Sequence, residues 1–100
     1  MIGKTGKICT EKVRAVFEYL VAEFPTCSIG HRYVDFQKTE VFNLHIGKRR
    51  SDISVSREFF EDNDTTKIPL KLEKYCLADH LLKSDYSHII VTNKGLKFEE

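Results

Sequence analysis

Between positions 33 and 57 apolar and polar residues alternate along the chain. Val34 and Phe36 flank Asp35, Phe42, Leu44 and Ile46 alternate with Asn43 and His45, and Ile53 and Val55 alternate with Ser54 and Ser56. A period of two puts one set of side chains on a buried face and the other on a wet face. The pattern predicts three strands, joined by Gln37-Lys38-Thr39-Glu40 and by Gly47-Lys48-Arg49-Arg50-Ser51-Asp52. Links this short suit an antiparallel meander, because parallel strands need crossovers of about a dozen residues or more.

Helical spacing precedes and follows these strands. Val13, Val16, Phe17, Leu20, Val21 and Phe24 recur as one face of a helix over 10–24. Thr10 is the expected N-cap, Glu11 suits the first turn, and Pro25 stops the helix. Residues 26–32 read as a connection or an early strand, with Gly30 marking a turn or bulge. Residues 58–66 read as an acidic turn region anchored by Phe59 and Phe60. Pro69 suits the first position of a second helix over 69–83. Leu70, Tyr75, Leu77, Ala78, Leu81 and Leu82 fall on its apolar arc, which leaves Leu72 and Cys76 on the other side. A turn at 84–87, a strand at 88–92 and a return through Leu96 and Phe98 close the chain, with Asn93-Lys94-Gly95 as the hairpin turn.

The resulting order is α-β-β-β-α-β-β. It predicts a single α+β domain over 1–100, with a mainly antiparallel sheet and two helices packed on one face. Residues 1–9 and 99–100 are expected to be flexible ends.

Composition narrows the function classes. The chain has 100 residues, enough for one domain with its own core and no need of a metal or disulfide staple. Its 16 Lys and Arg nearly cancel its 15 Asp and Glu. Dedicated nucleic-acid modules carry a basic excess, so a nucleic-acid contact here would rest on a local patch. The opening residues lack the pattern of a secretory leader, and no apolar run is long enough to span a membrane. Cys9, Cys27 and Cys76 are odd in number and form no Cys-x-x-Cys pair, which fits reduced thiols in the cytoplasm. Cys9, before a helix and near Lys7, is the most reactive thiol by position.

Several chemistries fail on spacing. Gly3-Lys4-Thr5-Gly6-Lys7 lacks the spacing and the preceding strand of a phosphate-binding loop. Residues 61–64 lack the central Gly and closing Glu of a calcium loop. His31, His45, His80 and His88 are too far apart in sequence for a local zinc motif. Neither metal nor cofactor is expected.

Two basic sets remain as candidates for an anion, nucleic acid or acidic partner. One is Lys48, Arg49 and Arg50 at a hairpin tip; the other is Lys67 and Lys71, with Lys74, around the start of the second helix, where free amides favour phosphate. A third candidate is the polar sheet face carrying Asn43, His45, Ser54 and Ser56. His45, a serine and Asp35 could be drawn together as a catalytic trio, but no nucleophile elbow accompanies them and no catalytic residue is assigned. The helix, three strands, helix order resembles that of double-stranded RNA-binding domains. Leu70-Lys71-Leu72-Glu73 stands where that family has a lysine pair before an Ala-rich helix, and the family's Gly-rich turn is missing. The final helix and hairpin also resemble the end of a winged-helix domain, although strands occupy the place of its earlier helices.

With neither a cofactor signature nor a catalytic motif, the expected function is a small cytosolic, non-enzymatic interaction module. It would be an adaptor, inhibitor or regulatory protein that binds another protein through a sheet face or edge. A homodimer through edge strands is compatible with this reading, and the alternative is nucleic-acid binding through Lys48, Arg49 and Arg50.

Overall fold

The computed structural model describes residues 10–34, 39–83 and 88–99. Nine elements follow in order: α1 (Thr10–Glu23), β1 (Ser28–Val34), β2 (Thr39–Ile46), β3 (Arg49–Val55), α2 (Arg57–Asp62), α3 (Lys67–Lys74), α4 (Leu77–Lys83), β4 (His88–Thr92) and β5 (Gly95–Glu99). The fold is α+β, as the sequence predicts, with more and shorter helices. The strands form one five-stranded sheet in the order β1-β2-β3-β4-β5. Every neighbouring pair is antiparallel except β3 and β4, which are parallel. The three helices α2 to α4 make the crossover that a parallel pair requires. The C-terminal hairpin therefore widens the sheet beside β3 and does not cover its outer face.

The core lies between the helices and one sheet face. Phe42 and Leu44 of β2, Ile53 and Val55 of β3, and Ile89 and Val91 of β4 are buried there against Val16, Leu20, Phe59, Ile68, Leu72 and Leu81. The register puts these strand residues on one face, since Phe42 pairs with Ile53 and Ile53 with Ile89. Each such large side chain contributes about 1.5–3 kcal/mol on full burial.

Four local expectations are corrected. β1 runs straight through Gly30, which pairs with Asn43, so this glycine marks neither a turn nor a bulge. The second hairpin turn shrinks to Gly47 and Lys48, because Ile46 pairs with Arg49 and the strand continues through Asp52. Gly47 supplies the positive φ of 61° that so tight a turn needs. The acidic stretch forms a short helix, α2, whose start is capped by Ser56 accepting from the Phe59 amide at 3.2 Å.

The fourth correction concerns the second long helix, which is two helices. Cys76 adopts a φ of 58°, a left-handed conformation that ends α3 and restarts the chain as α4. The break changes the phase of the apolar positions. A continuous helix would have turned Leu72 away from its main arc; the broken one buries Ile68 and Leu72 from α3 together with Leu77 and Leu81 from α4. Leu70 and Leu82 are left 64% and 56% exposed.

The expected lead-in at 1–9 with Cys9, the residues Asp35, Phe36, Gln37 and Lys38, the turn at 84–87 and Glu100 lie outside the described residues. No helix among the described residues is long and apolar enough to cross a membrane.

Candidate functional site

The helices pack on one face of the sheet. On the other face the register aligns Gly30, Asn43 and Asp52 across β1, β2 and β3, and brings His88 and Glu99 into the same row on β4 and β5. Next to it stand Ser28, His45 and Arg50 on one side and Arg32, Val41, Ser54, Ile90 and Lys97 on the other. This open face carries a row of polar side chains on a rigid support, with Val41 and Ser54 largely buried within it.

Its side chains are tied to one another in two sets. Asn43 Nδ2 donates to Asp52 Oδ1 at 2.8 Å, and Arg50 Nε donates to the same oxygen at 3.0 Å. The Asp52 carboxylate thus joins β2 to β3. Ser54 Oγ lies 2.6 Å from His88 Nε2, and His88 Nδ1 lies 3.3 Å from Glu99 Oε1. This chain crosses β3, β4 and β5 at the parallel junction. Its order is hydroxyl, imidazole, carboxylate, which can move a proton from Ser54 when a substrate is bound against it. Yet Ser54 is only 6% exposed, and β3 has a hydrogen-bonded neighbour on each side. The backbone amides that could hold an oxyanion are engaged in the sheet there.

The expected site residues separate on this scaffold. Asn43, His45 and Ser54 share the open face, and His45 is exposed on it. Ser56 lies past the end of β3 and caps α2. Lys48, Arg49 and Arg50 do not form one cationic tip. Lys48 is exposed in the turn, Arg50 stands on the open face beside Asp52, and Arg49 stands on the helix side. There its guanidinium donates to the carbonyl of Leu81, in the last turn of α4, where the helix dipole favours a cation. Lys67 is exposed and Lys71 half-buried on α3. The amides at the start of α3 are taken by Asp64, whose Oδ1 accepts from the Thr66 and Lys67 N–H groups at 3.1 and 3.0 Å. The Thr66 hydroxyl and the Lys67 amide together hold the Asp64 carboxyl below its ordinary pKa. A phosphate would have to displace this carboxylate.

Sequence reasoning missed Asp52, His88 and Glu99 on the open face, and a carboxylate on the other. The sequence places Asp52 in a turn; extending the alternation of Ser54 and Ser56 back by one step finds it. Glu40 is 3% exposed on the helix side of β2 and accepts from His31 Nε2 at 2.5 Å. The His31 ring also lies against Phe42, with ring centres 4.8 Å apart.

A cleft of about 210 Å³ opens between α1 and the α3–α4 break, lined by Tyr19, Glu23, Glu73, Cys76, Ala78 and Asp79. The Tyr19 hydroxyl accepts from the Ala78 amide at 3.3 Å, which ties α1 to the start of α4. Burial pushes the Tyr19 pKa up, and the three nearby carboxylates add to the rise, against the lowering by the Ala78 amide. Among the described residues no group of three His, Cys, Asp or Glu side chains is placed to hold a metal ion. Comparison with protein-family models, curated proteins and solved structures finds no match to this chain.

Proposed function

We propose that this chain is a small, cytosolic, non-enzymatic interaction module that binds another protein through the open face or an edge of its sheet. The observation that carries the reading is the one-sided packing of the sheet. All the helices that contribute to the core lie on one side, and the other side presents an ordered row of polar groups. Groups already held by Asp52 and His88 lose little further freedom on binding, which favours recognition. Among the described residues no Phe, Tyr or Trp stands on that face, so its stacking surface for unpaired bases is limited to imidazoles. The free thiols of Cys27 and Cys76 agree with a reducing compartment.

The test is capture on the immobilised native chain, with and without nuclease, beside a His45→Glu/Arg50→Glu variant. A discrete protein that survives nuclease and is lost with the variant is the expected result. Material that vanishes with nuclease, with added salt and with a Lys48/Arg49/Arg50→Ala variant would replace the reading with nucleic-acid binding. No macromolecular partner at physiological salt, a second copy included, would sink it.

A second reading draws on the Ser54, His88 and Glu99 chain. A serine hydrolase would react at Ser54 with a fluorophosphonate and lose that label on Ser54→Ala. The low exposure of Ser54 and the engaged strand amides make the binding reading the stronger of the two.

A further inference from the structure

We infer that β1 is a homodimer seam, along which it pairs antiparallel with β1 of a second copy and Arg32 of each copy enters a notch at Gly30 of the other. The inference rests on the binding reading above and names its partner.

β1 is the last strand on its side of the sheet, so among the described residues no strand lies beside one of its two backbone edges. It is seven residues long, against five for β5 at the opposite edge. Natural edges are blunted by proline, bulges, brevity or charge; β1 has no proline, bulge or brevity, and its one permanent charge is Arg32. Instead it carries Gly30 in a regular pair with Asn43. Nothing in the single chain requires a glycine there. Among the described residues a Cβ at Gly30 would meet only the Asn43 side chain, with Oδ1 at 3.5 Å, an ordinary contact, and the backbone is not in the left-handed region. A glycine inside a strand weakens it, and often marks close approach by another group.

The antiparallel register that pairs all seven residues has its two-fold axis at His31. It sets Gly30 opposite Arg32 of the second copy, and by symmetry Arg32 opposite the second copy's Gly30. Both positions lie on the open face. With no side chain at Gly30, the arriving guanidinium can lie across β1 toward Asn43 Oδ1, two strand spacings or about 10 Å away. Asn43 is already oriented by its bond to Asp52, so the cation meets the Asn43 and Asp52 side of the polar row. The cation meets an oriented amide oxygen, and the contact occurs twice.

On the helix side of the same seam, apolar side chains flank His31, which is held by Glu40. His80 of α4 lies against Phe98 of β5, which puts α4 toward the far edge, while α1 contacts β1. Tyr19 faces α4, so Phe17 and Val21, on the opposite flank of α1, face outward on the β1 side. They are 36% and 40% exposed. In the dimer they meet their symmetry copies above the paired strands, and Ile29 meets Tyr33. The seam is about 24 Å long in β1 and two layers deep. That is the scale of the smaller specific interfaces, about 1,200 Å² in total, and it predicts a reversible dimer.

The test is sedimentation of the purified full chain over a wide concentration range. A dimer is expected, with association weakened about tenfold or more by Phe17→Glu/Val21→Glu and by Arg32→Glu. Gly30→Val is the sharper variant. It favours the strand and its Cβ meets only an ordinary contact among the described residues, so thermal melting of the monomer holds or improves while the dimer is lost. Lys97→Glu, at the other edge, leaves the dimer intact. A dimer indifferent to all three β1-side variants overturns the seam. A chain that stays monomeric yet captures another protein overturns the inference and spares the binding reading; a monomer that captures nothing overturns both.

Discussion

On β2, Phe42 and Leu44 are fully buried beneath the helices, while Asn43 and His45, their immediate neighbours, face out. The same alternation holds on β3, where Ile53 lies inside and Asp52 and Ser54 lie on the open face. One face is held by apolar burial, which is non-directional and strong in sum. The other is held by hydrogen bonds that link strand to strand, each worth about 0.5–1.5 kcal/mol net. Stability therefore concentrates on one side, and the chemistry available to a partner concentrates on the other. The division also means that substitutions one residue apart should have very different effects.

The largest contrast is expected between Leu44→Ala and His45→Ala. Leu44 has no exposed surface and sits in the core cluster. Its truncation should cost about 2–5 kcal/mol, lost transfer energy plus the cavity left behind. His45 is exposed. Its removal should change stability by less than about 0.5 kcal/mol. Urea unfolding of both variants measures the difference. Equal losses would mean that the open face is covered by something in solution.

The division was legible in the sequence where the period is regular. The alternation at Phe42, Leu44 and Ile46 and the apolar face of α1 were sufficient to place both. It was less legible where a local backbone choice resets the phase. Leu72 sat on the wrong side of a continuous helix, and that misfit was the trace of the break at Cys76. A left-handed cysteine has no sequence signature comparable to glycine. The short α2 was hidden by its acidic composition, though Ser56 and Glu58 were an N-cap and a first-turn acid in plain view. The site was legible in half. Parity placed Asn43, His45 and Ser54 on one face, but the partners of Ser54 and Asn43 depend on strand order. The parallel docking of β4 against β3 is a tertiary fact that no local pattern encodes.

The two arginines of the second hairpin sharpen the comparison at intermediate size. Arg49 points to the helix side and bonds the Leu81 carbonyl at the end of α4. Hydrogen bonds from charged groups contribute about 1.5–3 kcal/mol, so Arg49→Ala should lower the unfolding free energy by about that amount. Arg50 pairs with Asp52 on the open face, with 56% of its side chain exposed. Exposed ion pairs are worth about 0.2–1 kcal/mol, and added salt should erase that contribution. If Arg50→Ala proved the more damaging of the two, the open face would be a structural layer in its own right.

The smallest effect is a matter of pH, and it belongs to the helix side alone. Tyr19 ties α1 to α4 through the Ala78 amide, and its burial disfavours the phenolate. The folded-state pKa is therefore raised above the ordinary tyrosine value of about 10. Below that value both folded and unfolded chains hold the proton, and the interaction contributes in full. As pH rises past it the unfolded chain releases the proton first, and stability falls until the folded-state pKa is passed. Tyr19→Phe should cost about 0.5–1.5 kcal/mol at neutral pH through the lost hydrogen bond, and should make the alkaline decline shallower. Melting temperatures of the two chains from neutral to strongly alkaline pH would converge. Parallel curves would show that the phenol reaches water freely, and that the junction of α1 with α4 opens in solution.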